Sequence, residues 1–420
     1  MEINVIAFYT SVMGNPKKKD TTMNKISIIK EIRELQNQLS YSKNIGFFFG
    51  AGTSTALGIP NIAQLTTKVE DALENGEKGH FIKVKEDLKS TLDKDDINIE
   101  DILNHIRRIR EITGEKKDKE YLEIDGESAK KLDIEICKNI YKILSEKEKE
   151  ADIKNTKKLM AWLNLQNRDY SKEIFTSNYD LIFEKSLEEI QIPYFDGFVG
   201  SYEPFFLPEN VETFVENNDI TKSWIRLWKI HGSLGWFWKK ELNGSARIVR
   251  LGRIDNIESD GNEIVIYPSK EKYDSSRKQP FISYFDRMKS FLSKGELLFV
   301  ISGYSFSDQH INEIIFNSLR NNNRLFILVF AFSDDTITDL YKLSSSYLNI
   351  TAFGPKKCIM NGEIGEWEFN KDELKSNEQS NYFWNESINE LIIGDFNKLV
   401  EFIIFNSGKK ESIEKVADEN

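Results

Sequence analysis

Four short segments of the chain carry residues whose types and spacing suit chemistry. Phe49-Gly50-Ala51-Gly52-Thr53-Ser54, followed by Gly58-Ile59-Pro60, ends an apolar run in Gly-Ala-Gly. With no Cβ in the way, such a backbone can pass close to a bound group, and its amides with a following helix N-terminus suit a pyrophosphate. A plain tight turn accounts for the same residues, since neither the full dinucleotide fingerprint nor the phosphate loop with its lysine is present. Thr176-Ser177-Asn178-Tyr179-Asp180 offers an amide and a carboxylate side by side; in a structural role, Asn178 makes a turn and Asp180 caps a helix over 181–190. Lys229-Ile230-His231-Gly232-Ser233 sets one of only four histidines between an apolar run and a glycine. There an imidazole can face a cleft and move protons near neutral pH, although a lone histidine also serves as a satisfied structural residue. Gly303-Tyr304-Ser305-Phe306-Ser307-Asp308 closes a further apolar run and reads equally as a strand-to-helix loop with Ser307 as N-cap.

Each motif needs a strand to deliver it. The wholly apolar run 45–49 and those at 173–176, 224–230, 297–302 and 324–332 suit strands buried on both faces of a parallel sheet. Between the last two, Ile311, Ile314, Ile315 and Leu319 mark a helix started by Ser307 or Asp308, completing a strand–helix–strand unit. Ile26, Ile29, Ile32, Leu35 and Leu39 predict an amphipathic helix that stops before Ile45. From 69 to 165 charge is dense and alternating, while Ile99, Ile102, Ile106, Ile109, Ile140, Ile143 and Leu144 keep helical spacing. This reads as a helical subdomain with a polar loop at 114–126 and with its charges on solvated faces. Aromatic-rich hairpins are expected over 235–270, a hairpin over 358–369 and a helix over 387–405. The apolar side of that last helix (Leu391, Ile392, Phe396, Leu399, Phe402, Ile403) fits ordinary packing. The expected fold class is α/β, a doubly wound (Rossmann-like) parallel sheet with a helical insertion subdomain. Residues 1–24 form an extension, 25–350 the main domain with its insertion at about 69–165, and 351–420 a C-terminal hairpin and helix. Open sheets of this kind take their ligands at the carboxyl ends of the strands, where all four motifs stand.

Composition limits the function. The 420 residues are 40% hydrophobic and 12% aromatic, which excludes a chain disordered throughout. A net charge of −11 argues against a surface built for nucleic-acid phosphates, so no direct nucleic-acid binding is expected. The two cysteines, Cys137 and Cys358, exclude a cysteine-built zinc module and a disulfide framework, and favour a reducing compartment. No apolar run approaches the roughly 20 residues that span a bilayer, and residues 1–14 lack the basic leader of a signal peptide. A cytoplasmic protein without membrane attachment is expected.

In order and spacing the motifs resemble the sirtuin family: Gly-Ala-Gly-x-Ser with Gly-Ile-Pro, then Thr-x-Asn-x-Asp, His-Gly and Gly-x-Ser, over roughly Ile26 to Phe332. More narrowly, Gly303-Tyr304-Ser305-Phe306-x-Asp308-x-x-Ile311-Asn312, preceded by Tyr267-Pro268-Ser269-Lys270, looks like the sirtuin-like proteins of bacterial antiphage defence, NAD-consuming hydrolases that commonly lack the zinc module. The resemblance implies a sirtuin-like NAD-binding domain over 25–350. It makes Gly50, Ala51, Gly52 and Ser54 the phosphate and ribose cradle, and Asn178 the holder of the nicotinamide ribose and the attacking water. Asp180 would receive the carboxamide and His231 would be the general base. Gly303 and Ser305 would line the NAD site, Ser305 on the adenosine half, with Asp308 beside them. NAD is thus expected as substrate, without zinc.

Two departures weigh against a deacylase. Sirtuin deacylases continue Gly-Ile-Pro with Asp-Phe-Arg where this chain has Asn61-Ile62-Ala63, and their four zinc cysteines are absent between His231 and Gly303. Glycosidic cleavage of NAD suits the residues, because nicotinamide leaves as a neutral ring and needs no general acid, unlike an O-glycoside. One amide to fix ribose and water, with one histidine of near-neutral pKa, is a sufficient set. The implied function is an NAD glycohydrolase that yields nicotinamide and ADP-ribose and depletes NAD as an antiphage effector. Homo-oligomerisation and a separate partner, such as a hexameric motor ATPase of the HerA type, are implied with it. The alternatives are an NAD-dependent deacylase and a non-catalytic NAD-sensing or scaffold subunit.

Overall fold

Strand residues here face two cores in alternation. In Ile45–Phe49, Phe47 and Phe49 belong to one hydrophobic cluster and Phe48 to the other; Ile174 and Phe175, then Leu227 and Trp228, divide the same way. Side chains of period two with apolar residues on both faces require layers on both sides of the sheet. The computed structural model describes residues 23–93, 95–166, 170–212, 224–240, 246–251, 263–266, 279–376 and 378–418. Residues 1–22 of the expected extension 1–24, and the Tyr267–Lys270 motif, lie outside them.

The described residues form a ten-stranded, mostly parallel sheet. Its centre is Leu325–Phe330, Leu297–Ser302, Ile45–Phe49, Lys172–Thr176 and Ile225–Lys229, all parallel and in that spatial order. Helices Ile28–Tyr41, Lys154–Leu165, Ile182–Glu189 and Phe396–Asn406 cover one face, and Phe281–Leu292, Gln309–Asn321 and Asp334–Ser344 the other. This is the doubly wound α/β architecture. From Ile45–Phe49 the chain moves outward through 172–176 to 225–229, then returns to the opposite side at 297–302, so the order reverses between Ile45–Phe49 and Leu297–Ser302. No helix of the described residues is long and apolar enough to cross a membrane.

Several elements differ from their expected positions. Ile26 lies in an edge strand, Asn24–Ser27, paired parallel with Glu363–Glu368, and the first helix begins only at Ile28. The hairpin Lys357–Met360/Glu363–Glu368 joins the main sheet through antiparallel pairing with Ile350–Phe353, so residues 351–368 continue the sheet. No helix starts at Ser387: Trp384–Asn385 and Glu390–Leu391 pair as a small ribbon, and the helix starts at Phe396. Asp395 caps it by accepting the Lys398 amide, and Gly394 lies so close to the Ala331 carbonyl that a Cβ there would stand 2.2 Å away.

The inserted helices run from Ile62–Ala72 through Asn75–Leu92 and Ile99–Thr113 to Gly126–Glu150. Asn61 starts the first with a capping box, its side chain accepting the Gln64 amide while Gln64 Oε1 accepts the Asn61 amide. Lys154–Leu165, expected within the insertion, instead packs on the sheet, with Trp162 edge-on to Phe47. The insertion's third cluster joins Ile102, Ile106 and Ile140 to Ile182, Leu234 and Phe237 of the strand-end region. The insertion therefore sits over the carboxyl ends of the central strands. A second, five-stranded antiparallel sheet carries the expected aromatic hairpin Gly232–Lys240/Ala246–Arg250.

Candidate active site

The four motifs meet level with one another. Phe49 lies opposite both Thr176 and Ser302, and Thr176 opposite Lys229, so the residues that follow each strand emerge at one edge. The Gly50–Ser54 and Gly303–Asp308 loops flank the point where strand order reverses, the ligand position of open α/β sheets.

The glycines there serve backbone contact. Gly50 N donates to Ser302 O at 3.0 Å and Gly52 N to Gly303 O at 2.8 Å. A Cβ on Gly50 would stand 2.5 Å from Gly303 O, and one on Gly303 2.5 Å from Thr53 N. Gly303 also holds φ of +68°, which favours glycine. Two of the amides expected to cradle phosphate are thus occupied by neighbouring carbonyls. Ala51 and Ser305 stand exposed at the rim, Ser305 Oγ at 3.0 Å from Ser307 Oγ.

Behind this junction a buried chain of hydrogen bonds links three of the expected residues. Asn178 Nδ2 donates to Ser54 Oγ at 2.7 Å and to Thr53 Oγ1 at 3.0 Å, and Ser54 Oγ donates to Asp180 Oδ2 at 2.6 Å. Thr176 Oγ1 donates to the Phe49 carbonyl and accepts the Asn178 amide, so the strand end fixes where Asn178 starts. Asp180 Oδ1 accepts the Ile182 amide at 3.2 Å in a local turn, while Leu181, not Asp180, is the N-cap of Ile182–Glu189. Asn178 is 6% exposed, yet its Oδ1 has no hydrogen-bond partner. A buried unpaired acceptor costs about 1–3 kcal/mol, so it marks a place where a water or ligand hydroxyl belongs.

His231 and Asp308 form a second pair, with Nε2 to Oδ2 at 3.1 Å. Asp308, not Ser307, is the N-cap of Gln309–Asn321, its Oδ1 accepting the His310 and Ile311 amides. Burial alone would raise the Asp308 carboxyl, but the bond and charge of His231 with these amides hold it at about 2. An ionised carboxylate only accepts, so His231 Nε2 is the donor in this pair. Asp308, expected beside the adenosine, has both oxygens committed to the helix and the imidazole.

Three further charged residues belong to this centre. Lys229, 2% exposed, donates to the carbonyls of Asp180 and, at 3.3 Å, Tyr179, and to Glu184 Oε1 at 2.9 Å. Glu148 accepts the Leu181 amide at 2.8 Å. Burial first and the Asp180 charge second push its carboxyl up to about 7, against the pull of the Leu181 amide and Lys229. Glu100 accepts the Tyr179 hydroxyl at 2.5 Å; burial raises its carboxyl, opposed by the charge of His231 and by Tyr179, with Asp308 acting in the same direction as burial. Lys229, inside an apolar strand, is the one whose burial the sequence could have flagged. Among the described residues no group of three or more His, Cys, Asp or Glu side chains is arranged to hold a metal ion.

No curated protein matches the sequence. Similar solved structures include a Sir2 homologue in complex with NAD, 14% identical, covering 74% of this chain and 87% of that one with a TM-score of 0.36. A mutant Sir2 homologue with 2′-O-acetyl ADP ribose is 13% identical, over 70% of this chain and 83% of that one, with a TM-score of 0.37. Sir2Tm bound to a propionylated peptide is 12% identical, over 71% and 85%, with a TM-score of 0.34. Residues 172–349, which hold Asn178, Asp180, His231, Gly303, Ser305 and Asp308, match the family model described as a SIR2-like domain.

Proposed function

We propose that the chain is an NAD glycohydrolase, cleaving NAD to nicotinamide and ADP-ribose. The observation that carries this reading is the buried Asn178 side chain, anchored through its Nδ2 and unpartnered at Oδ1, at the same strand-end edge as the His231–Asp308 pair. The SIR2-like match over the same residues supports it.

In the reaction, water oxygen bonds to C1′ of the nicotinamide ribose as the C1′–N1 bond breaks. The bonding pair returns to the pyridinium nitrogen, so nicotinamide departs neutral without an acid. Asn178 Oδ1 orients the water or a ribose hydroxyl, and the His231 imidazole takes the proton. Asp308 holds the ring's tautomer and stabilises the imidazolium. Asp180 retains acceptor capacity for the carboxamide, since each carboxylate oxygen can accept two hydrogen bonds. With the Gly50 and Gly52 amides occupied, the pyrophosphate lies along Ala51 and Ser54, towards Gly303 and Ser305 at the adenosine end. In the cell this activity drains NAD during phage infection. It is restrained by self-association and by a partner such as a hexameric motor ATPase of the HerA type.

Nicotinamide release from NAD by the purified chain, with and without acylated peptide, tests the proposal. Release without peptide is expected, and His231→Ala should lower kcat by about 10²–10⁴-fold. Release only with acylated peptide, no release either alone or with an activating partner, or full turnover by Asn178→Ala overturns it.

A further inference from the structure

The insertion grips the catalytic loop from outside. Ser54 and Thr53 hold residues 178 and 180 from within the sheet, whereas Glu100 holds the Tyr179 hydroxyl and Glu148 the Leu181 amide. Both glutamates come from inserted helices, Glu100 in the first turn of Ile99–Thr113 and Glu148 in the last turn of Gly126–Glu150. The Glu100 turn is rigidly set: Asn98 caps it by accepting the Glu100 and Asp101 amides at 3.0 and 3.1 Å. The Tyr179 backbone is fixed as well, its carbonyl accepting Leu234 N at 2.9 Å and Lys229 Nζ. Resting on the NAD-cleavage reading, we propose that the helical insertion is part of the active centre, and that Glu100 is a positioning residue that sets the Asn178 loop through Tyr179.

The other charged groups around this junction are Asp308 on the cap of Gln309–Asn321, Asp101 beside Glu100, Asp180 and Lys229 at the strand ends, and Glu148 and Glu184 behind them. Docking of the insertion then decides whether the centre is complete, a natural point of control for an activity that consumes NAD.

The test uses the full chain with Tyr179→Phe, which removes the hydroxyl that Glu100 accepts, with Glu100→Ala, which removes the acceptor, and with Glu100→Gln, which keeps an oxygen for that hydroxyl. Two readouts are needed: steady-state nicotinamide release, and hydrogen exchange of the backbone amides over 177–181. Tyr179→Phe and Glu100→Ala are each expected to lower kcat several-fold with KM nearly unchanged and to speed exchange in that loop, while Glu100→Gln recovers most of both. If the wild type releases nicotinamide but Tyr179→Phe and Glu100→Ala match it in kcat and exchange, the inference is overturned and the proposed function stands. If the wild type releases none, the proposed function fails, and the exchange alone decides: unchanged protection of 177–181 overturns the role of Glu100. Should Glu100→Ala not fold, Tyr179→Phe against Glu100→Gln carries the same comparison.

Discussion

Two buried ionic clusters in this chain are built on opposite principles. Inside the insertion, Asp133 is 3% exposed and accepts from Arg110 Nη1 at 2.5 Å and from Arg107 Nε at 3.3 Å, while Glu115 takes Arg110 and Lys130. Its charges are matched, and the carboxyls respond: burial opposes ionisation of Asp133, but the two arginines outweigh it, and Glu115 is held at about 2. At the strand ends, Asp180, Glu184 and Glu148 crowd around Lys229, with Glu100 nearby. There burial wins: the Glu100, Glu148 and Glu184 carboxyls are all raised, and Asn178 Oδ1 and Glu184 Oε2 have no hydrogen-bond partner. A satisfied cluster holds a fold together, whereas an under-satisfied one with shifted acids is characteristic of a site awaiting a ligand.

The largest effect expected from this contrast lies in the satisfied cluster. Asp133→Ala leaves the half-buried Arg107 and Arg110 without their shared buried carboxylate, although Arg110 keeps Glu115, and breaking such a pair costs about 3 kcal/mol. Urea unfolding should show that loss, while NAD cleavage per folded molecule is unchanged. A loss below about 1 kcal/mol would mean that the two clusters do not differ in kind.

The reverse is expected at the strand ends. Glu148 ionises near 4.5 when unfolded and at about 7 when folded, so the folded state binds its proton more tightly. Its contribution is present below pH 4.5 and is lost as pH rises through 7. The wild type therefore gives up on the order of 2–3 kcal/mol across that window through this one group. Glu148→Gln keeps an oxygen for the Leu181 amide but cannot ionise. Unfolding midpoints measured from pH 4.5 to 8 should show the variant gaining on the wild type with rising pH and exceeding it at pH 8. Parallel curves would sink the idea that this carboxyl is strained.

The central strands and the four motifs were legible in the sequence because both signals are local. An apolar run bounded by glycine is a buried strand wherever it falls, and the residue after it stands at the sheet edge. The helical charges of the insertion were not legible. Asp133 and Glu148 lie on the buried stripe of Gly126–Glu150, four residues after Ala129 and Leu144, so their spacing marked the face but not what they would meet there. Their partners are chosen by tertiary placement, as are the contacts of Glu100 with Tyr179, 79 positions away, and of Asp308 with His231. Asp308 shows the limit well: as an N-cap it was readable, but its second oxygen found an imidazole from another strand end. The helix expected from Ser387 failed for a related reason, since the backbone of Gly394 fits against Ala331 of a distant strand end.

The smallest expected effect joins the two clusters. Asn98 caps Ile99–Thr113, the helix that carries Glu100 towards the strand ends and Arg107 and Arg110 into the satisfied cluster. Asn98→Ala should cost about 1 kcal/mol of stability, the usual loss for a polar N-cap. The helix is otherwise anchored along its length by Ile102, Ile106 and Ile109, so the loss is concentrated in the first turn. Glu100 lies in that turn and the arginines lie beyond it. Nicotinamide release should therefore fall more than so small a loss of stability predicts, while Asp133 keeps its partners. Asn98→Ser restores a cap of similar strength and should recover both. If Asn98→Ala lowers stability but leaves turnover per folded molecule intact, the first turn is a structural support only, and Glu100 does not need to be held in place.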